Sequence, residues 1–192
     1  MRTAEVKRVT KETDIFIILN ADGSGKAKIN TGIGFFDHML TAFAVHSGFD
    51  ITLNVKGDLA VDCHHTIEDV GIVLGQALAR AVNRENIERY GSFVVPMDES
   101  LAWCSLDFSG RGLLVFNADF AFPMMGQYET CMTEHFFSSF ANNAGITLHI
   151  NALYGKDDHH KTEAIYKAVA HSLNIATKIN ASGNALSSKG SL

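Results

Sequence analysis

The amino-acid sequence carries one series of motifs twice, and this repetition is the strongest constraint on its fold. Each copy begins with a Glu that is followed, after ten residues, by two Gly residues separated by one position. An acidic residue followed by His comes next, then a strand-like run, and finally a His-His pair followed by Glu. The copies of these motifs lie at residues 12–25 and 99–112, 37–40 and 134–137, 51–55 and 146–150, and 64–68 and 159–163. Because their order is the same, we interpret the chain as the product of an ancient duplication.

The repetition also sets the expected domain organisation. We place the first half at residues 1–92 and the second half at residues 93–178. The remaining residues, 179–192, are rich in Ser and Gly and have no hydrophobic periodicity, which alone is typical of a flexible terminus.

Each half predicts the same short list of elements. In the first half, residues 15–19 predict a strand, and the sequence ADGSGK that follows predicts a hairpin turn. A short helix that carries residues 37–40 is expected to end at Gly48, followed by a half-buried strand at 51–56 and a long helix at about 66–83. The expected fold class is therefore α+β and internally duplicated, each half being a small mixed β-sheet with two helices packed on one face.

Composition and charge exclude several classes of protein. Hydrophobic residues make up 46% of the 192 residues and charged residues 19%, which is typical of a globular domain and not of a disordered or fibrous chain. The net charge is −5, so the chain lacks the basic surface expected of a generic nucleic-acid-binding protein.

Cysteine usage and apolar runs indicate the compartment. The three Cys residues, at 63, 104 and 131, form no close pair, which argues against a disulfide framework and fits a reducing compartment. Residues 1–14 lack the apolar core of a secretory signal, and no apolar run approaches the roughly 20 residues of a membrane span. We therefore expect a cytoplasmic protein with no membrane or nucleic-acid partner.

The two His-His pairs predict a metal centre. Each pair opens a predicted helix, on which residues four apart share a face, so His64 can bind one metal together with Glu68. His159 and Glu163 repeat this arrangement in the second half. The second His of each pair points about 100° away from the first and must bind elsewhere. The remaining ligands should come from the short helices, at His38 and His135.

Symmetry suggests how these eight ligands divide between two metals. One site would hold His38, His65, His159 and Glu163, and the other would hold His64, Glu68, His135 and His160. The sequence leaves open how many of these ligands belong to one subunit. Imidazole and carboxylate ligands suit Mn, Fe, Ni, Co or Zn alike. Four protein ligands on an octahedral metal leave two positions open, which favours catalysis over a structural role.

Several basic residues outside the metal motifs are candidates for binding a phosphate. Singly, Arg89, Arg111, Lys167 and the Ser187-Ser188-Lys189 segment could each be solvated surface groups, but together they offer the donors that a phosphate requires. His46, two residues before Gly48, is either a helix C-cap or a substrate contact. His149 and His171 lack such neighbours and are expected to be a surface residue and an ordinary helix residue.

The motifs together resemble imidazoleglycerol-phosphate dehydratase of histidine biosynthesis, over nearly the whole chain. They are DHML (37–40), DCHHTIED (62–69), SGR (109–111), EHFF (134–137), DHHKTEAIYKA (158–168) and SSKG (187–190). The resemblance implies a duplicated α+β subunit that converts imidazole glycerol phosphate to imidazole acetol phosphate. It also implies two Mn²⁺ per active site and a homo-oligomer of twenty-four subunits with sites between subunits. No segment resembles the histidinol-phosphatase domain to which some members are fused.

The resemblance also implies roles for individual residues. It assigns metal binding to the eight ligands given above, and it assigns substrate contacts to Glu12, His46, Arg89, Arg111, Lys167, Ser187, Ser188 and Lys189. It thereby implies that residues 179–192 form a C-terminal tail that closes over the substrate phosphate. The reaction removes a proton from a carbon with no carbonyl beside it, so our hypothesis is that metal binding favours imidazolate, which expels the hydroxyl through a diazafulvene-like intermediate. A carboxylate must move the proton, and Glu12 and Glu163 are the candidates. Asp98 and Glu99 are expected to be polar supports.

Two other classes of function remain open on the residues alone. A dinuclear metal hydrolase such as a phosphatase would use the same ligands to activate water and would release inorganic phosphate. A metal-storage or assembly protein would use the His clusters to join subunits, and it would have no activity with metal bound.

Overall fold

The computed structural model describes residues 1–181, in which ten strands and four helices follow one another in two similar series. The first series is β1 (Thr3–Val9), β2 (Thr13–Asn20), β3 (Ala27–Asn30), α1 (Gly34–Ser47), β4 (Asp50–Gly57) and α2 (His64–Ala81). The second series is β5 (Tyr90–Met97), β6 (Ser100–Asp107), β7 (Leu113–Asn117), β8 (Met124–Met125), β9 (Tyr128–Glu129), α3 (Met132–Ala144), β10 (Thr147–Tyr154) and α4 (Asp158–Ala176). The small β8–β9 hairpin occupies residues that the first half lacks.

Two four-stranded sheets have the same strand order, which is the structural counterpart of the sequence repeat. The orders are β1-β2-β4-β3 and β5-β6-β10-β7. In each sheet the first three strands are antiparallel and the last strand is parallel to its neighbour. The predicted α+β class with mixed sheets is confirmed. The division at residues 92 and 93 stays a prediction, and strand β5 of the second sheet begins at Tyr90.

The hairpin predicted after the strand at residues 15–19 is wrong. Strand β2 does not pair with β3, because β4 lies between them, antiparallel to β2 and parallel to β3. The intervening residues instead form a connection that the Asp50 carboxylate holds by accepting the backbone N–H groups of Ser24 and Lys26, at 2.8 and 2.9 Å. A Gly-rich sequence fixes a change of direction, but it does not fix which strand fills the neighbouring position.

The four helices lie between the sheets and form one core with them. Strand β2 alternates buried and half-buried residues, so that Ile15, Ile17 and Leu19 face inward with no exposed surface. Helix α1 packs on α4, and helix α2 packs on α3, so each helix contacts a helix of the other half. The buried apolar residues of both halves form a single cluster. Within residues 1–181, no helix has the length and apolar character needed to cross a membrane.

Helices α2 and α3 approach each other closely at Gly75, and we expect Gly75→Ala to destabilise the protein. An added Cβ would lie 2.6 Å from the Phe140 carbonyl oxygen and 3.0 Å from the Ala144 nitrogen, so the helices would have to separate. Such overpacking costs roughly 1–3 kcal/mol, measurable as a lower denaturant midpoint at fixed protein concentration. Gly34→Ala is the control, because a Cβ there meets nothing within 4 Å. Equal midpoints for the two variants would contradict the prediction.

Candidate metal and substrate site

Three predicted ligands converge at the point where α1 meets α4. The His38 Nε2 atom lies 3.4 Å from Glu163 Oε2, and the His159 Nε2 atom lies 3.3 Å from the same oxygen. Their three ligand atoms all lie within 4.8 Å of one another, a spacing that can hold one metal ion. His38 comes from the first half and the other two residues from the second, so both halves build this site.

The equivalent residues meet between α3 and α2 and form a second, more open cluster. The His64 Nε2 atom lies 3.7 Å from Glu68 Oε2, and the ring centroids of His64 and His135 are 5.1 Å apart. The Glu68 side chain is 42% exposed, whereas that of Glu163 is 9% exposed. The symmetry that the sequence predicts is therefore present, but the two clusters differ in their surroundings.

A lysine distinguishes the first cluster from the second. The Lys167 Nζ atom lies 2.6 Å from Glu163 Oε1. Burial alone would raise the pKa of Glu163, but the Lys167 hydrogen bond and charge, with the charge of His38, outweigh it and leave that pKa below its ordinary value. In the first half Ile72 occupies the corresponding position, four residues after Glu68. Within residues 1–181, only the first cluster thus combines a carboxylate with a cation.

The second His of each pair points away from both clusters, as the helix geometry predicts. The Asp58 carboxylate lies 3.0 Å from His65 Nδ1, and the Glu99 carboxylate lies 2.7 Å from His160 Nδ1. These hydrogen bonds are the main cause of the raised pKa of both imidazoles. Within the described chain, neither ring joins the group of ligand atoms that converges within 4.8 Å.

The carboxylates beside these two rings also set their tautomers. An ionised carboxylate only accepts hydrogen bonds, so Nδ1 of each ring carries the donated hydrogen, and in a neutral ring Nε2 is left to bind a metal. The expected role of Glu99 as a polar support agrees with this contact. Asp58 belongs to none of the motifs, although a carboxylate seven residues before His65 is the signal that could have found it.

The repeated residues Glu12 and Glu99 have different surroundings. Glu99 accepts the backbone N–H groups of Lys156 and Asp157 at 3.0 and 2.8 Å, in addition to its contact with His160. Those bonds to the start of α4 hold the pKa of Glu99 well below its usual range. Glu12 is 52% exposed, and its nearest ionic partner is His65 Nε2 at 3.8 Å. Glu12 therefore keeps a carboxylate that can act on another molecule.

The structure describes two of the predicted cationic substrate contacts outside the clusters. Arg89 donates two hydrogen bonds to Asp107, with Nε–Oδ1 at 2.6 Å and Nη2–Oδ2 at 3.1 Å. Its backbone has a left-handed φ of 67°, which a residue other than Gly or Asn rarely adopts. Arg111 is exposed, and its backbone N–H donates to Ser109 Oγ at 3.2 Å. Ser187, Ser188 and Lys189 lie outside the described residues.

His46 lies in a contact that no sequence motif indicates. Its Nδ1 atom is 3.0 Å from His171 Nε2, across the packing of α1 on α4. The ring of Phe93 stacks on His171 with centroids 4.4 Å apart. The expectation that His171 is an ordinary helix residue thus missed a partner of a candidate substrate contact, and only the three-dimensional packing reveals it.

This histidine pair predicts how stability depends on pH. Burial is the main cause of the lowered pKa of both rings, and the positive charge of Lys167 lowers them further. The unfolded chain therefore takes up more protons than the folded chain as the pH falls below about 6.5, and the stability decreases. We expect the wild-type protein, with chelator present, to lose more stability between pH 7.5 and 5.5 than His171→Gln. Equal changes in denaturant midpoint would contradict this.

Comparison with known proteins supports the same family. The family model described as imidazoleglycerol-phosphate dehydratase matches residues 31–173. An imidazoleglycerol-phosphate dehydratase of Acetivibrio thermocellus is 54% identical over 178 residues, covering 92% of this chain and 91% of its own. That of Streptococcus sanguinis is 52% identical over 181 residues, covering 94% and 93%.

Solved structures of the same enzyme share the fold. The Staphylococcus aureus imidazoleglycerol-phosphate dehydratase is 37% identical, with a TM-score of 0.84 over 93% of this chain and 99% of its own. The Pyrococcus furiosus protein is 34% identical, with a TM-score of 0.86 over 97% and 100%. These matches cover more than nine-tenths of this chain. The chain therefore belongs to the imidazoleglycerol-phosphate dehydratase family, whose members are hydro-lyases of histidine biosynthesis.

Proposed function

We propose that this enzyme dehydrates imidazole glycerol phosphate to imidazole acetol phosphate at an active site that holds two Mn²⁺ ions. The observation that carries the proposal is the convergence of His38, His159 and Glu163, repeated in the arrangement of His64, Glu68 and His135. Two equivalent sets of imidazole and carboxylate donors suit two divalent cations of the same kind, and manganese accepts such ligands. We place the enzyme in the cytoplasm.

The donor set supports a site that more than one subunit completes. Each cluster has three ligands in one chain, and the fourth ligand of each site is proposed to be His65 or His160. Both rings are held by a carboxylate at Nδ1 and lie outside the clusters of their own chain. A second copy of the chain can bring such a ring to a cluster, so we propose a homo-oligomer with sites between subunits. By family resemblance, we propose that it contains twenty-four subunits.

The chemistry needs both a polarised ring and a moving proton. When bound, the metal ions would act as Lewis acids on the imidazole ring and favour its anion, whose electrons help to expel the neighbouring hydroxyl. The proton to be removed has no carbonyl beside it. Glu12 is the proposed proton carrier, because its carboxylate is exposed and lies beside His65. Glu163 is already engaged by Lys167 and two imidazoles, so we assign it to metal binding first.

The cationic residues are proposed to bind the substrate phosphate. Lys167 lies next to the first cluster, and Arg89 is fixed by Asp107 and by its own backbone. A guanidinium held in one orientation loses little freedom when it binds an oxyanion. Arg111, the segment Ser187-Ser188-Lys189 and the imidazole of His46 complete the proposed set of substrate contacts.

A turnover assay with metal-stripped protein tests the proposed function. The protein is assayed with imidazole glycerol phosphate before and after addition of Mn²⁺, and both imidazole acetol phosphate and inorganic phosphate are measured. We expect the ketone to form only with Mn²⁺ and no phosphate to be released. Phosphate release without the ketone would show a hydrolase, and absence of both products with two metals bound per chain would overturn the proposal.

A further inference from the structure

The contact between His46 and His171 has a counterpart elsewhere in the duplicated fold, and the two pairs differ in chemistry. His46 and Asn143 each lie two residues before the Gly that ends their helix, Gly48 or Gly145. His171 lies twelve residues after His159, and Gln76 lies twelve residues after His64. His46 and Asn143 are therefore equivalent positions, and so are His171 and Gln76.

Both pairs are hydrogen-bonded across the packing of two helices. His46 Nδ1 and His171 Nε2 are 3.0 Å apart between α1 and α4, and Gln76 Nε2 donates to Asn143 Oδ1 at 3.3 Å between α2 and α3. A neutral amide pair is thus sufficient to join the helices at this point. The imidazole pair offers a second ring nitrogen on His46, which an amide does not have.

The surroundings of the imidazole pair also differ from those of the amide pair. Lys167 lies one helical turn before His171, where the first half has Ile72. Phe93 stacks on the His171 ring with an interplanar angle of 23°, where the first half has Val6, each six residues before the repeated Glu. A cation and a ring that fixes the imidazole plane are found in one copy only. An anion would be favoured at this copy and not at the other.

The hydrogen bond between the rings decides which nitrogen of His46 carries its proton. If both rings are neutral and His171 Nε2–H donates the hydrogen bond, His46 Nδ1 accepts it. The single N–H of His46 must then be on Nε2. That Nε2–H can donate to a phosphate oxygen. With the opposite arrangement, His46 Nε2 would be a bare acceptor and would repel the phosphate.

We propose that His171 is a positioning residue, which holds His46 in the tautomer whose Nε2–H donates to the phosphate of the substrate. The inference rests on the proposed function for the assignment of His46 as a substrate contact. His171 itself does not touch the substrate. Phe93 keeps the His171 ring in the plane that this hydrogen bond requires.

Three variants separate this role from simple helix packing. His171→Leu removes the donor, and His171→Gln retains one, because a Gln side chain already donates across helices at the equivalent position. Gln76→Leu is the matched control, since it removes the equivalent hydrogen bond from the other half. Each variant is measured as the Mn²⁺-loaded protein, for KM and kcat and for inhibition by inorganic phosphate. The tautomer of His46 is read by ¹⁵N NMR of histidine-labelled protein, with His46→Gln identifying its signal.

The proposal expects one pattern of results. His171→Leu should raise both KM and the phosphate inhibition constant about tenfold, with kcat nearly unchanged and a changed His46 tautomer. His171→Gln and Gln76→Leu should stay close to the wild-type protein in all of these values. A wild-type His46 protonated on Nδ1, or equal effects of His171→Leu and Gln76→Leu, would overturn it. The ¹⁵N spectrum does not depend on turnover, so failure of the dehydratase assay is distinguishable from failure of this inference.

Discussion

Glu163→Gln is expected to lower kcat at least about 100-fold and to reduce the manganese bound per chain. The substitution removes the oxygen that both His38 and His159 approach, and a bound cation would lose an anionic ligand and several kcal/mol of charge stabilisation. It also leaves Lys167, whose side chain is 18% exposed, without its carboxylate. Metal analysis of the purified variant, followed by turnover at saturating Mn²⁺, checks both parts.

The control for this variant is Glu134→Gln, one residue from the ligand His135. Glu134 is exposed, and within residues 1–181 its carboxylate has no hydrogen bond or ion pair. We expect its metal content and turnover to match those of the wild-type protein. Full manganese binding by Glu163→Gln would show that the first cluster is not a metal site.

Glu12→Gln is expected to lower kcat by roughly 10²- to 10⁴-fold while the protein keeps its full complement of metal. A positioned general base contributes about that much, and an amide cannot accept the proton. Because the loss concerns proton transfer, excess Mn²⁺ should not restore the rate. Unchanged turnover with metal retained would remove Glu12 from the reaction.

The repeat supplies the comparison for Glu12 in the form of Glu99→Gln. Glu99 orients His160 and accepts two backbone N–H groups, so its loss should weaken metal binding about 10- to 100-fold without removing a proton carrier. Added Mn²⁺ should then recover most of the rate. If Mn²⁺ rescues both variants equally, the different roles assigned to the two glutamates are wrong.

The parts of the fold that follow from local sequence were predictable, and those that depend on distant pairing were not. The long helix expected at 66–83 spans His64–Ala81, and the strand expected at 15–19 spans Thr13–Asn20, because their apolar residues follow the helix and strand periods. The hairpin failed because β4, thirty residues further along the chain, supplies the partner of β2. Nothing within a local window encodes that choice.

The site shows the same division. Helix geometry alone places His64 beside Glu68 and turns His65 away. The repeat identifies Glu99 as the equivalent of Glu12. The contacts of Asp107 with Arg89 and of His171 with His46 join residues whose separation in the chain matches no helix, strand or repeat period. They arise from packing and become visible only when the sheets and helices are in place.

The way each cluster draws on both halves bears on the history of the chain. Two separate copies of a single half, joined as a homodimer about a two-fold axis, would build two identical clusters. Every substitution in such an ancestor would appear at both of them. Gene fusion removes that restriction, because positions related by symmetry can then carry different residues. Lys167 thus corresponds to Ile72 in the first half, and Glu12 corresponds to Glu99 in the second. Symmetry breaking within one polypeptide thus allows each half to acquire reacting or anion-binding groups that the other half lacks, such as Glu12 in the first half and Lys167 in the second.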